Sequence, residues 1–234
     1  LTALVLAFPY QDEAAVAAEE ADDAESSESG ATPAVLGRGY DLLAYFWMPQ
    51  DTILERERED RVPYSLWAQQ GWIIPTPGNV TDYEFIRAFI TGIGSDGKKR
   101  PSPALVDRFN IREIAKDRWN STQIGTQLAG DGLTVLDFGQ GFASMSAPTK
   151  EFGRLLKAKR LRHGSNPVLA WMASNVVVET DAAANIKPTK DPKKMSGRVD
   201  GIVAGVMAVG RAMVHDGGND GRSVYEDRSL LTIG

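Results

Sequence analysis

Apolar residues fill almost every position from Leu1 to Tyr10, without the alternation expected of a half-exposed strand. That pattern predicts a strand covered on both faces and central in its sheet. Residues 11–34 turn to alanine, acid, serine and glycine, which bury too little surface to order themselves, so a mobile loop is expected there, reaching to residue 38. Apolar positions resume from Tyr40 to Met48 as a second strand, ended by Pro49. Asp51 to Glu59 alternates in charge like a solvated helix. Tyr64 to Gln70 predicts a short helix closed by Gly71, then Trp72-Ile73-Ile74 extends before a turn at Pro75, Pro77 and Gly78. Thr81-Asp82-Tyr83-Glu84 has capping-box spacing and opens a helix running to Thr91, which accounts for Asp82 as a first-turn acid.

The second half alternates. Ala104–Phe109 is helical, Ile111–Ala115 is a strand running into Asp117, Ser121–Leu128 a helix and Leu133–Phe138 a strand. Lys150–Arg162 reads as a basic amphipathic helix, Pro167–Val178 as helical at first, and 182–198 as a polar loop. Ser196 is placed to cap a last helix with Asp200 in its first turn. Gly201, Ala204, Gly205, Ala208 and Ala212 give that helix a small-residue stripe suited to close packing. A hairpin followed by alternating strands and helices predicts an α/β fold, a mixed sheet with helices on both faces. Residues 1–215 are expected to form the domain, with a mobile acidic loop over 11–38 and a tail or linker over 216–234.

Composition narrows the chemistry. The 234 residues suit one generous domain or two small ones. There is no cysteine and only His163 and His215, so a metal would be held by carboxylate oxygens, which favours magnesium or manganese over zinc. No apolar run reaches the ~20 residues of a membrane span, and the opening Leu1 to Phe8 reads as a strand entered midway, not as a signal peptide. The net charge of −5 is dominated by eight acids within residues 12–28; without them 26 bases face 23 acids, and the body is mildly basic.

Two acids stand out. Asp117 ends a strand, where ligand sites of open α/β sheets collect; it is either a site residue or a cap for the helix near Ser121. Asp200 heads a small-faced helix; it is either a dipole-favoured acid paired with Arg198 or an acid that meets a cation. Gly92 to Lys99 imitates a phosphate-binding loop, but lysine replaces the magnesium-binding hydroxyl, the segment follows a helix, and Pro101 and Pro103 obstruct the helix that should come next. No Gly-x-Ser-x-Gly elbow or His-Glu-x-x-His pair exists. Arg154, Lys157, Lys159, Arg160 and Arg162, with the bases of 187–198, form either a solvated face or a phosphate-facing one, and His163 reads as a helix C-terminal partner.

Several blocks in order resemble one family. They are Trp67–Gly71, Thr76–Tyr83, Ile114-Ala115-Lys116-Asp117-Arg118-Trp119-Asn120, Gly139-Gln140-Gly141-Phe142 with Met145-Ser146-Ala147-Pro148, His163–Val168, Asn185–Lys190 and Arg198–Ala204. Over roughly residues 40–214 the chain is similar to the C-terminal nuclease domain of the large terminase subunit of tailed double-stranded-DNA bacteriophages. The resemblance implies a ribonuclease H-like fold and an endonuclease that cuts concatemeric viral DNA during packaging, with three carboxylates holding two Mg2+ or Mn2+ ions. Asp117 matches the second carboxylate and Asp200 the third; the first is expected upstream of Leu1, which would impair the isolated chain. Lys187, Lys190 and Arg198 are the residues expected to face DNA. The implied partners are double-stranded DNA, the portal protein and the small terminase subunit, in the host cytoplasm and not in the mature virion. The competing reading is a non-catalytic module that binds DNA or docks to the portal; another ribonuclease H-like enzyme, such as a resolvase, fits the blocks at 139–148 and 163–168 less well.

Overall fold

A computed structural model describes residues 1–13, 37–99, 103–118, 122–194 and 196–216. Most of the acidic loop, the segment 119–121 and the tail beyond 216 lie outside the described residues. Strand β1 (Thr2–Gln11) pairs antiparallel with β2 (Arg38–Pro49) over its whole length, from Thr2 opposite Trp47 to Gln11 opposite Arg38. The other edge of β2 carries two short parallel partners: β3 (Ile74–Thr76) along Trp47–Pro49 and β6 (Leu161–Arg162) along Tyr40–Asp41. A separate parallel pair joins β4 (Ile114–Asp117) to β5 (Val135–Phe138), and an antiparallel hairpin joins β7 (Val176–Thr180) to β8 (Ile186–Lys190).

Helices cover both faces. In chain order they are α1 (Ile53–Asp60), α2 (Tyr64–Gln69), α3 (Tyr83–Thr91), α4 (Leu105–Arg108), α5 (Thr122–Gly130), α6 (Phe142–Lys157), α7 (Pro167–Ala173) and α8 (Asp200–Asp216). Successive strand side chains point to opposite faces, and β2 shows the consequence. Phe46 joins the core beneath α7 and α8 with Met172, Ile202 and Val206, whereas Trp47 joins the opposite core with Ile86 and Ile90 of α3 and Leu128 of α5. No helix among the described residues is long and apolar enough to cross a membrane.

Several expectations need correction. β1 is not central among the described hydrogen-bonded strands; it pairs with β2 alone, and only Val5 of its apolar run is fully buried. Strand β3 begins two residues later than expected and takes in Pro75, which a short terminal strand tolerates. Asp82, not Thr81, caps α3 by accepting from the Phe85 amide. The basic helix begins eight residues early, at Phe142, because Pro148 sits inside α6 against Gly210 and does not break it. That helix ends at Lys157, so Leu161–Arg162 is a strand, and His163 follows that strand and not a helix end. Pro167–Val178 is helical at first, as expected, in α7, but Val176 to Lys190 then forms a β-hairpin where a polar loop was expected from residue 182. Ser196 does not cap α8, which starts four residues on; its hydroxyl donates to the Asp60 carbonyl.

Candidate functional site

The small-residue stripe sets the position of α8. A Cβ on Gly201 would come within 2.8 Å of the Phe46 ring and 3.0 Å of Met172 Sδ, and one on Gly205 within 3.3 Å of Phe152. Only glycine lets the helix lie this close to β2, α6 and α7. That packing fixes Asp200 as the first residue of α8, exposed, with its carboxylate at the positive end of the helix dipole. Asp117 is half-buried at the C-terminal end of β4.

Both aspartates line one cleft of about 1500 Å³. Its walls are β1, from Leu1 to Pro9, and the run Phe109–Asp117 that ends in β4. Val203 and Met207 of α8 close one face, and Ile86 and Ile90 of α3 with Ile124 and Leu128 of α5 close the other. Asp117 and Asp200, 83 positions apart, both stand on the lining of this cleft, which Gln140 and Lys116 also line. Lys187, Lys190 and Arg198 are not part of that lining. Lys187, on β8, pairs with Glu179 at 3.3 Å and lies 4.7 Å over the Phe142 ring; Lys190 ends the same strand, exposed. Arg198 meets Asp60 at 3.7 Å.

Three charge groups escaped the sequence reading. Asp60 accepts from the Tyr64 hydroxyl at 2.9 Å as well as pairing with Arg198; burial, reinforced by Asp60, pushes the Tyr64 phenol up. Lys116 pairs with Asp137, directly opposite it in the β4–β5 register, so aligning the two strands would have found this pair. Glu113, just before β4, binds Arg211 and sits 3.0 Å from His215 Nε2. Burial opposes its charge, yet hydrogen bonds from Arg211 and His215 hold the carboxyl below its usual range.

Of the bases at 154–162, read either as a solvated face or as a phosphate-facing one, Arg154 pairs with Glu151, Arg160 is buried, and Arg162 stacks 3.7 Å over the Tyr10 ring. Gly92 ends α3 with a left-handed φ of 75°, which confirms a helix C-cap where the phosphate-loop resemblance failed.

Oxygen donors at Asp117 and Asp200 suit a hard divalent cation. The donor set is partial, since among the described residues no three His, Asp or Glu side chains gather as ligands.

Residues 37–216 match the family model of the terminase large subunit, endonuclease domain, and the chain belongs to that family. Its curated relatives include the large terminase subunit of Enterobacteria phage HK97, 38% identical over 175 residues that cover 74% of this chain and 32% of that protein. Another is protein YmfN of Escherichia coli K12, 30% identical over 183 residues, covering 76% of this chain and 37% of that one. The crystal structure of the HK97 large terminase superposes with a TM-score of 0.63 at 36% identity, over 74% of this chain and 34% of that chain. The chain thus spans about a third of the length of these relatives.

Proposed function

We propose that this chain is a divalent-metal-dependent DNA endonuclease domain that cuts concatemeric double-stranded viral DNA during genome packaging. The observation that carries the reading is the convergence of Asp117 and Asp200 on one cleft. Asp117 from a strand end and Asp200 from a helix start would hold the two Mg2+ or Mn2+ ions, with a third carboxylate contributed from upstream of Leu1. Bound there, the ions supply charge neutralisation for the attacking and leaving oxygens of a phosphodiester. The protein's own part is positional. Glycine-mediated packing of α8 fixes Asp200, the β4–β5 ladder fixes Asp117, and Lys187, Lys190 and Arg198 attract the phosphate backbone without reading sequence. With two carboxylates only, the chain alone binds metal weakly and cuts little. The architecture is ribonuclease H-like, and residues 1–215 act as the nuclease domain ahead of a 216–234 tail. The working partners are double-stranded DNA, the portal protein and the small terminase subunit, in the host cytoplasm.

The test is plasmid cleavage with manganese, comparing this chain, a chain extended upstream, and Asp117→Asn and Asp200→Asn in the extended form. Cutting should appear on extension and vanish in both variants. Undiminished cutting by both variants would remove the assignment. The rival reading is a non-catalytic DNA-binding or portal-docking module. Manganese at ~100 times its dissociation constant should stabilise a complete site by about 2.7 kcal/mol; a docking module gains nothing.

A further inference from the structure

The two edges of the β7–β8 hairpin meet different surroundings. Its ladder runs from the Asp191 amide, which donates to the Asn175 carbonyl at 2.8 Å, to the Asp181 amide, which donates to the Asn185 carbonyl at 2.9 Å. Hydrogen-bonded and non-hydrogen-bonded pairs alternate along an antiparallel ladder, so Val177–Thr189 and Glu179–Lys187 are the pairs that exchange bonds. The backbone groups of Val176, Val178 and Thr180 therefore point away from β8, and those of Ile186 and Pro188 point away from β7. The β8 edge is closed. The Ser146 hydroxyl accepts from the Ile186 amide at 3.1 Å, and Pro188 has no amide to offer.

The β7 edge carries no such device. β7 pairs with β8 alone among the described residues, and it is exposed from Val177 to Thr180. Its sequence, Val-Val-Val-Glu-Thr, is rich in β-branched residues, and Val178 is 56% exposed. Proteins normally blunt an edge of this kind with lysine, proline, a bulge or a covering element. The one charge on it belongs to Glu179, and Lys187 of β8 already pairs with that carboxylate at 3.3 Å. Such an edge accepts a further strand through its main-chain groups.

We propose that β7 is a self-association edge, where two copies of this chain pair their β7 strands antiparallel about a two-fold axis at Val178. The register follows from the edge itself. Outward-pointing residues must meet outward-pointing ones, and centring on Val178 lets the whole of Val176–Thr180 pair. Val178 then lies opposite Val178 of the second copy, Val176 opposite Thr180, and Val177 opposite Glu179. Apolar side chains meet and no like charges stand face to face. A shift of the axis to Glu179 sets the two Glu179 side chains opposite each other, which is destabilising. A shift to Val177 leaves Glu179 and Thr180 outside the overlap. About six backbone hydrogen bonds form, and the interface is isologous, so it closes at two copies. So short an edge buries less than the roughly 1,200 Å² of a stable complex, so the association is weak and depends on concentration. It needs neither metal nor DNA and stands apart from the nuclease reading.

The experiment is analytical ultracentrifugation of this chain from about 10 μM to about 1 mM, joined to cross-linking of single-cysteine variants, which the lack of native cysteine keeps free of background. The average mass should rise toward twice that of the monomer. Val178→Lys sets two cations at the axis, and Val178→Pro removes an outward amide that the β7–β8 ladder does not use. Each should weaken association by about tenfold. Amide exchange at Val177 and Glu179, which face β8, is the control for an intact hairpin. Opposed residues of a hydrogen-bonded pair lie ~5.5 Å apart at Cα, within disulfide reach. Under oxidation Val178→Cys should therefore dimerise about tenfold faster than Val177→Cys, whose copies are only diagonal neighbours, and than Leu156→Cys, exposed on α6. A chain still monomeric at about 1 mM overturns the proposal and leaves the edge to a foreign strand. Association that both Val178→Lys and Val178→Pro leave intact, or cross-linking that is fastest in Val177→Cys or Leu156→Cys, places the contact elsewhere and overturns it as well.

Discussion

Gly153 in α6 and Gly210 in α8 are both helix-interior glycines, and alanine should move stability in opposite directions at the two. A Cβ at Gly153 meets nothing within 4 Å, whereas one at Gly210 falls 2.7 Å from Pro148 Cγ and 3.0 Å from its Cβ. Alanine is favoured over glycine in a helix interior by about 0.8–1.0 kcal/mol, so Gly153→Ala should stabilise by about 0.5–1 kcal/mol. At Gly210 the same gain opposes an overpacking term of about 1–3 kcal/mol. Pro148 cannot swing aside, because its ring is part of the α6 backbone. Reaching ordinary contact at 3.4 Å means parting α6 and α8 locally by about 0.7 Å. Gly210→Ala should therefore destabilise by about 1 kcal/mol, a contrast of about 1.5–2 kcal/mol between the variants. Urea denaturation with unchanged m-values reads this directly, and melting should differ by roughly 3–8 °C at this chain length. Gly210→Ala as stable as Gly153→Ala would mean that α8 is not pressed onto α6, and the positioning of Asp200 would lose its support.

Other perturbations test separate parts. Arg87 makes two hydrogen bonds to Asp131, at 2.6 and 2.7 Å, tying α3 to the end of α5. Hydrogen bonding from Arg87, opposed by burial, holds the Asp131 carboxyl below its usual range. Its stabilisation is thus fully present above the unfolded carboxyl pKa of about 3.9 and is lost as pH falls through the lower folded value. Asp131→Asn should lose about 2–3 kcal/mol at pH 7, and its deficit against wild type should close in chemical denaturation below about pH 4. In the extended chain, Lys187→Ala and Lys190→Ala should each weaken DNA binding alike across sequences and reduce the salt slope by about one; unchanged slopes would place DNA elsewhere.

Local rules made much of this fold legible. The β1–β2 hairpin, α3 and the strand-end position of Asp117 followed from apolar runs and breakers. The misreadings have physical causes. Pro148 suggested a helix boundary, yet α6 runs through it because its ring fills the space that Gly210 leaves in α8, a tertiary fact. The Val176–Lys190 hairpin was masked by Pro188 and the polar tip at Asp181–Asn185, where Asp181 accepts from the Ala183 and Asn185 amides and so organises the turn. Asp200 and Asp117 were found through their places at element ends, which are local. The Asp60–Arg198 and Glu113–His215 pairs were not, because their members come from distant stretches with no shared pattern.

The surroundings of Asp200 overturn one part of its sequence reading, the pairing with Arg198. Pairing with Arg198 would make it an ordinary surface acid, but Arg198 lies on Asp60, whose side chain is only 10% exposed and already accepts from Tyr64. A buried carboxylate needs its cation more than an exposed one does, so Asp60 keeps Arg198 from neutralising Asp200. Asp60→Asn should release Arg198 toward Asp200 and weaken manganese binding by about tenfold, since a positive charge brought within ~4 Å of the site costs about 1–4 kcal/mol. Calorimetric titration of manganese into the extended chain measures this, with Asp200→Asn as the second arm of a double-mutant cycle. If Arg198 acts through Asp200, the Asp60 substitution has no further effect once Asp200 is asparagine. A tenfold loss that persists in that background would show Asp60 acting on the fold at large, and the separation of the two charges would then have no bearing on the metal.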